Sequence, residues 1–155
     1  MGMVNKVTQE ASVLYKFGTK PYKHQLEVFN DSRDRKEYAF FMEMGTGKSK
    51  VAIDTFSWLY DQGRINTVLV VCPKGAYHNW FNREVPIHIP KHVRYNMAIW
   101  TGSKRIADVR SIEGILRPSE DLRILVVNVE SLPTKRSFKV AKSFVEGSRC
   151  MMIVD

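Results

Sequence analysis

Residues 41–49 read Phe-Met-Glu-Met-Gly-Thr-Gly-Lys-Ser, and glycines, a lysine and a hydroxyl at this spacing fit one kind of chemistry. Gly45 and Gly47 allow backbone N–H groups to close around phosphate oxygens, with Met44 and Thr46 filling out the loop. Lys48 is placed to set its ammonium on the β- and γ-phosphates of a nucleotide. Ser49 is placed to ligate the accompanying magnesium. The strict pattern asks for a glycine five positions before Gly47, and Met42 stands there instead. The plain alternative is a glycine-rich turn followed by an ordinary surface lysine.

Such a loop works only between a strand and a helix, so its flanks matter as much as its residues. The apolar run Tyr38–Met42 predicts a strand entering the loop, and Lys50–Tyr60 predicts a helix leaving it. The alternation continues along the chain. Thr67–Cys72, Asn96–Trp100, Arg123–Val129 and Met151–Val154 read as strands; Tyr77–Val85, Ser103–Leu116 and Lys135–Val145 read as helices. Alternation of this kind implies an α/β fold, a parallel sheet flanked by helices. Near-continuous apolar strands such as Leu69-Val70-Val71 and Ile124-Leu125-Val126-Val127 predict burial on both faces. Tyr77, Trp80, Phe81 and Val85 share one helix face and read as core.

With 155 residues the chain has room for one domain. No apolar run approaches the ~20 residues that span a membrane, and the N-terminus lacks the apolar core of a secretory signal. Cys72 and Cys150 lie in or beside apolar runs without metal-type spacing, as expected for buried thiols of a reduced, cytoplasmic protein. The net charge of +8 is spread over Lys91, Arg94, Lys104, Arg105, Arg110, Arg117, Lys135, Arg136, Lys139 and Lys142. A polyanionic partner suits this balance, nucleic acid first among them.

The order of the short motifs resembles superfamily 2 helicases and translocases of the Swi/Snf-like group. Pro21-Tyr22-Lys23-His24-Gln25 is similar to their glutamine motif, and Met42–Ser49 resembles motif I in the form where the strict first glycine is absent. Val70-Val71-Cys72-Pro73-Lys74, with Asn79-Trp80 and Glu84, resembles motif Ia. Val127–Leu132 resembles motif Ib/Ic, and Met152-Ile153-Val154-Asp155 the strand entering motif II. The resemblance covers residues 21–155, with 1–20 expected as a loosely attached N-terminal extension. The compact connections are similar to those of phage-encoded members, which would place the protein in the host cytoplasm.

The resemblance implies the first RecA-like lobe of a motor that uses ATP and Mg2+ to move along DNA. It implies that Gln25 reads the adenine edge with Tyr22 or Lys23 near the base, and that Asp155 holds magnesium through water opposite Ser49. Lys48 and Asp155 would then be the catalytic pair. Pro73, Lys74, Thr101, Gly102, Glu130 and Ser131 fall at strand C-terminal ends, where open α/β sheets bind ligands and where this family grips a DNA backbone. A loop or capping role is the alternative for each of these six.

Further expectations attach to the end of the sequence. The motif II glutamate, motif III and a second RecA-like lobe would follow Asp155, and loss of that lobe's arginine finger typically costs ~10³–10⁵ in rate. The lobe is therefore expected to be incomplete, with the strand of motif III missing between the phosphate-loop strand and the motif II strand. Strand exchange into a homo-oligomer, sheet rearrangement or a complementing polypeptide would close the gap. A terminase-type DNA-packaging ATPase and a non-catalytic DNA- or nucleotide-binding module are the two rival readings.

Overall fold

Thr67–Cys72 (β1) is buried at every position, and its neighbour Leu122–Asn128 (β3) likewise. Side chains of such a strand alternate between the two faces of the sheet, so both faces must be covered. The computed structural model describes residues 15–155 and shows how this is done. Tyr95–Trp100 (β2) and Cys150–Val154 (β4) complete a four-stranded, all-parallel sheet in the order β2-β3-β1-β4. Val70 of β1 lies opposite Val126 on one side and Ile153 on the other.

One face is covered by Lys48–Asp61 (α2) and by a composite helix made of Tyr77–Asn79 (α3), a π-turn at Trp80–Glu84 and Val85–His88 (α4). Ile53, Phe56, Val68, Val70, Trp80, Ile124 and Val126 form the core there. On the other face Ile106–Leu116 (α5) and Lys135–Val145 (α6) bury Leu69, Val71, Trp100, Ile112, Leu125, Val127 and Phe144. Full burial of each such side chain is worth about 2 kcal/mol, so the central strands are held from both faces. The remaining helix, Lys23–Ser32 (α1), packs against α2 and carries the buried Gln25 and Phe29.

Two expectations are corrected. Tyr38–Met42 does not form a strand: Phe41 is 98% exposed, and its N–H reaches only the Ala39 carbonyl. Its composition suits a strand, but a strand also needs a neighbour to pair with, and no described strand lies beside this segment. The four described strands form one continuous sheet in which β4 lies at the edge and, among the described residues, pairs with β1 alone, with Met152 and Val154 64% and 72% exposed. The second correction concerns the extension. Tyr15 meets Trp58 edge-on and Phe17 meets Phe29 at 5.2 Å, so residues 15–17 are packed rather than loosely attached. A Cβ at Gly18 would overlap the His88 carbonyl oxygen, which keeps the backbone close to α4. Residues 1–14 of the expected extension lie outside the described ones.

Candidate functional site

The loop from Met42 to Ser49 is shaped by its glycines. Gly45 and Gly47 both have positive φ, 77° and 89°, in the left-handed region that other residues avoid. Gly47 is the N-cap of α2 and has a second constraint, because a Cβ there would overlap Nε2 of Gln25. The turn is tied internally. Thr46 donates its hydroxyl to the Glu43 carbonyl at 2.6 Å, and the Thr46 N–H points to the same oxygen at 3.4 Å. Lys48 curls back inside the loop, and its ammonium donates to the Met42 and Glu43 carbonyls at 3.0 and 3.2 Å.

Those contacts decide whether the loop suits an anion. The N–H groups of Gly47, Lys48 and Ser49 have no acceptor among the described residues, as the first turn of a helix dictates. They sit at the positive end of the α2 dipole beside the Lys48 ammonium. A nucleotide's phosphates fit this donor set. Met44 projects into solvent at the tip of the turn, 95% exposed.

Helix α1 holds the loop from the other side. Gln25 is buried, its Oε1 accepts the Tyr22 N–H at 2.9 Å and its Nε2 donates to the Thr46 carbonyl at 3.0 Å. His24 Nε2 reaches the same carbonyl at 3.1 Å. The glutamine motif and the phosphate loop are therefore one assembly. His24 adds a contact that sequence pattern did not single out, although it stands inside the quoted motif. Tyr22 stacks on His24 with ring centroids 5.9 Å apart, and Lys23 is exposed beside them.

The base of α2 carries an unusual pair. Lys50 and Asp54 are both buried and meet at 2.6 Å, one turn apart, with the Lys50 ammonium over the Phe17 ring. Burial pushes the Asp54 carboxyl up to about 6, against the opposing pull of Lys50. Burial also raises the Tyr15 hydroxyl, with Asp61 and Asp54 adding to it, and lowers the His88 imidazole.

Asp155 follows β4. Its main-chain N–H donates to the Val71 carbonyl at 2.9 Å, and its Oδ2 accepts the indole N–H of Trp80 at 2.8 Å. The carboxylate lies near enough to Cys72 that, after burial, it is the next cause holding that thiol up at about 11. No contact joins Asp155 to Lys48 or Ser49 among the described residues. The core beneath them is shared, with Ala52 and Ile53 of α2 packed in the cluster that takes in Ile153.

The strand-end loops converge in two pairs. The Lys74 N–H points to the Glu130 carboxylate at 3.2 Å, and Val129 N–H donates to the Cys72 carbonyl. Asn128 shapes the turn after β3 by accepting the Glu130 N–H with its side chain and the Ser131 hydroxyl with its carbonyl. Pro73, Lys74, Thr101 and Glu130 are exposed. Gly102, with φ 80°, stands against Ser131 and Ser137. The Trp100 indole N–H donates to the Ser137 hydroxyl at 2.8 Å, and the Arg136 guanidinium lies over the Trp100 ring. The Thr101–Gly102 loop is thereby seated beside the start of α6, whose cap is Thr134. That helix carries Lys135, Arg136, Lys139 and Lys142 and no acidic residue.

Comparison with known proteins agrees with this layout. The family model described as type III restriction enzyme, res subunit, matches residues 5–155. No curated protein matches the sequence. Among solved structures, the Sulfolobus solfataricus SWI2/SNF2 ATPase core in complex with dsDNA superposes with a TM-score of 0.59 at 18% identity. The match covers 90% of this chain and 32% of that one, so the chain spans about a third of its structural neighbour. The parallel sheet flanked by helices is the RecA-like fold of that core.

Proposed function

Because the chain belongs to the family of the type III restriction enzyme res subunit, we propose that it is the ATP-binding lobe of an ATP-dependent DNA helicase or translocase. The observation that carries this reading is the Gly45–Ser49 loop. Its unpaired N–H groups and the Lys48 ammonium converge at the N-terminus of α2.

In this reading Lys48 leaves the Met42 and Glu43 carbonyls for the β- and γ-phosphates, and the Gly47–Ser49 amides take the phosphate oxygens. Ser49 and Asp155 would hold Mg2+, Asp155 through water. The bound ion would draw negative charge off the phosphate oxygens. Gln25 serves the adenine by exchanging its present bonds to Tyr22 and Thr46. An amide can do so because it donates and accepts at once. Residues 21–155 would form this lobe, with the remainder of the motor contributing the groups that complete hydrolysis.

The DNA backbone would lie along the C-terminal edge of the sheet. Pro73, Lys74, Thr101, Gly102, Glu130 and Ser131 offer amides, hydroxyls and one ammonium there. Arg136, held over Trp100, extends this surface onto α6. Such groups position a phosphate chain without reading its sequence. Glu130 is the exception in charge, and its role is to hold the Lys74 amide.

The test is nucleotide binding. A fluorescent ADP analogue with Mg2+ should bind the chain, and Lys48→Ala should abolish the signal. Affinity retained in Lys48→Ala would remove the loop from the site.

A further inference from the structure

Trp80 looks like a core residue by its place on a helix face, and it is 2% exposed in the cluster beneath α2. Its indole N–H, however, is aimed at a charged group, Oδ2 of Asp155, at 2.8 Å. An indole nitrogen can only donate, so the Asp155 oxygen is the acceptor of this bond.

We propose that Trp80 is a positioning residue for Asp155, locking the carboxylate in the orientation that holds the nucleotide's magnesium. This rests on the nucleotide reading above. The main-chain N–H of Asp155 is fixed on the Val71 carbonyl and one carboxylate oxygen is fixed on Trp80, while Oδ1 has no partner among the described residues. One oxygen is held and the other is left for a metal-bound water. Carboxylates that serve metals depend on such outer contacts for their geometry.

The backbone around Trp80 is built for the purpose. The Trp80 carbonyl accepts from the Val85 N–H five residues on, which opens the helix into the π-turn at Trp80–Glu84. Turns of this kind interrupt a helix at a cost and recur at functional sites. Here the turn lies where one helix must both fill the core with the Trp80 ring and present its N–H to the end of β4. Trp80 also packs with Ala52 and Ile53 of α2. It therefore joins the helix that begins at the phosphate loop to the carboxylate beyond β4.

The experiment uses Trp80→Phe, which keeps an aromatic ring in the core and removes the donor. Binding of a fluorescent ADP analogue is titrated with and without Mg2+. The wild-type chain should gain affinity with Mg2+, and Trp80→Phe should lose roughly 10-fold or more of the Mg2+ affinity while keeping metal-free nucleotide affinity. A full Mg2+ gain in Trp80→Phe would overturn the proposal.

A second measurement holds if that variant is unstable. The chain has three tryptophans, so three indole N–H resonances are expected. The Trp80 resonance should move in Asp155→Asn, and in the wild type it should move when Mg2+ joins the bound ADP analogue. A resonance indifferent to Asp155→Asn would show that the bond is not made, and the proposal falls. If instead the resonance responds to Asp155→Asn but the wild type binds no nucleotide, the nucleotide reading is what has failed, and the magnesium role falls with it.

Discussion

The Gln25 side chain and the Thr46 carbonyl are joined by a hydrogen bond of 3.0 Å, and the other end of the same amide caps the start of α1 through the Tyr22 N–H. One buried side chain thus fixes a helix terminus and the tip of the phosphate loop together. Any shift of α1 is felt at Gly47, whose missing Cβ leaves the space that Gln25 Nε2 occupies.

Gln25→Glu separates these two jobs. The glutamate can still accept the Tyr22 N–H, but it presents a carboxylate where the Thr46 carbonyl needs a donor. Amide hydrogen exchange across residues 45–48 should speed up and affinity for the ADP analogue should fall. The melting temperature should fall as well, since the substitution buries a carboxylate against the Thr46 carbonyl and leaves that acceptor without a donor. Unchanged exchange in the loop would show that Gln25 does not restrain it.

The buried Lys50–Asp54 pair gives the fold a pH dependence of definite sign. The folded carboxyl titrates near 6 against an ordinary 3.8, so between those values the native state binds more protons than the unfolded chain. Stability from this group is full below about pH 4 and is lost as pH rises through about 6, by up to about 3 kcal/mol. Urea unfolding at pH 4, 5, 6 and 7 should show that fall in the wild type and a flatter profile in Asp54→Asn. Lys50→Met should cost about 3–5 kcal/mol at pH 7, because it strands the carboxylate, and less at pH 5, where the group can protonate. Equal losses at both values would contradict the assignment.

The parts of the fold that were legible in the sequence are those fixed by local pattern together with burial. Thr67–Cys72 and Lys135–Val145 form with the bounds their periodicity predicts, because each buries a regular set of side chains against the central sheet. Tyr38–Met42 has equally apolar residues and fails, because a strand is completed by its neighbour and pattern alone does not supply one. At the site, the glycines and Lys48 could be read from type and spacing. The Trp80–Asp155 bond could not: it joins groups 75 positions apart, and helix periodicity assigned Trp80 wholly to the core. Lys50 was equally hidden, since a lysine after the loop reads as solvated until Asp54 and Phe17 enclose it.

The free side of β4 should make the chain self-associate. Met152 and Val154 are exposed on a strand that has one edge unpaired among the described residues, an arrangement that invites pairing with another chain. Sedimentation should show average mass rising with concentration, and Val154→Lys should suppress the rise, as charge on an edge strand does in natural sheets. Association that is indifferent to Val154→Lys would place the contact elsewhere.

DNA binding along the sheet edge and α6 should be governed by phosphate charge. Lys135, Arg136, Lys139 and Lys142 share one helix with no acid among them, and only Arg136 is braced, by the Trp100 ring. Anisotropy titrations of labelled duplexes at several salt concentrations should therefore show affinity falling steeply with salt and indifferent to base sequence. Lys139→Ala should weaken all duplexes alike and reduce the slope of log affinity against log salt by about 1, the signature of one lost phosphate contact. Arg136→Ala should cost more than Lys139→Ala, since a guanidinium already held over a ring surrenders less freedom on binding. An unchanged slope in both variants would move the DNA path off α6 and leave it to the Lys74 and Thr101–Gly102 loops alone.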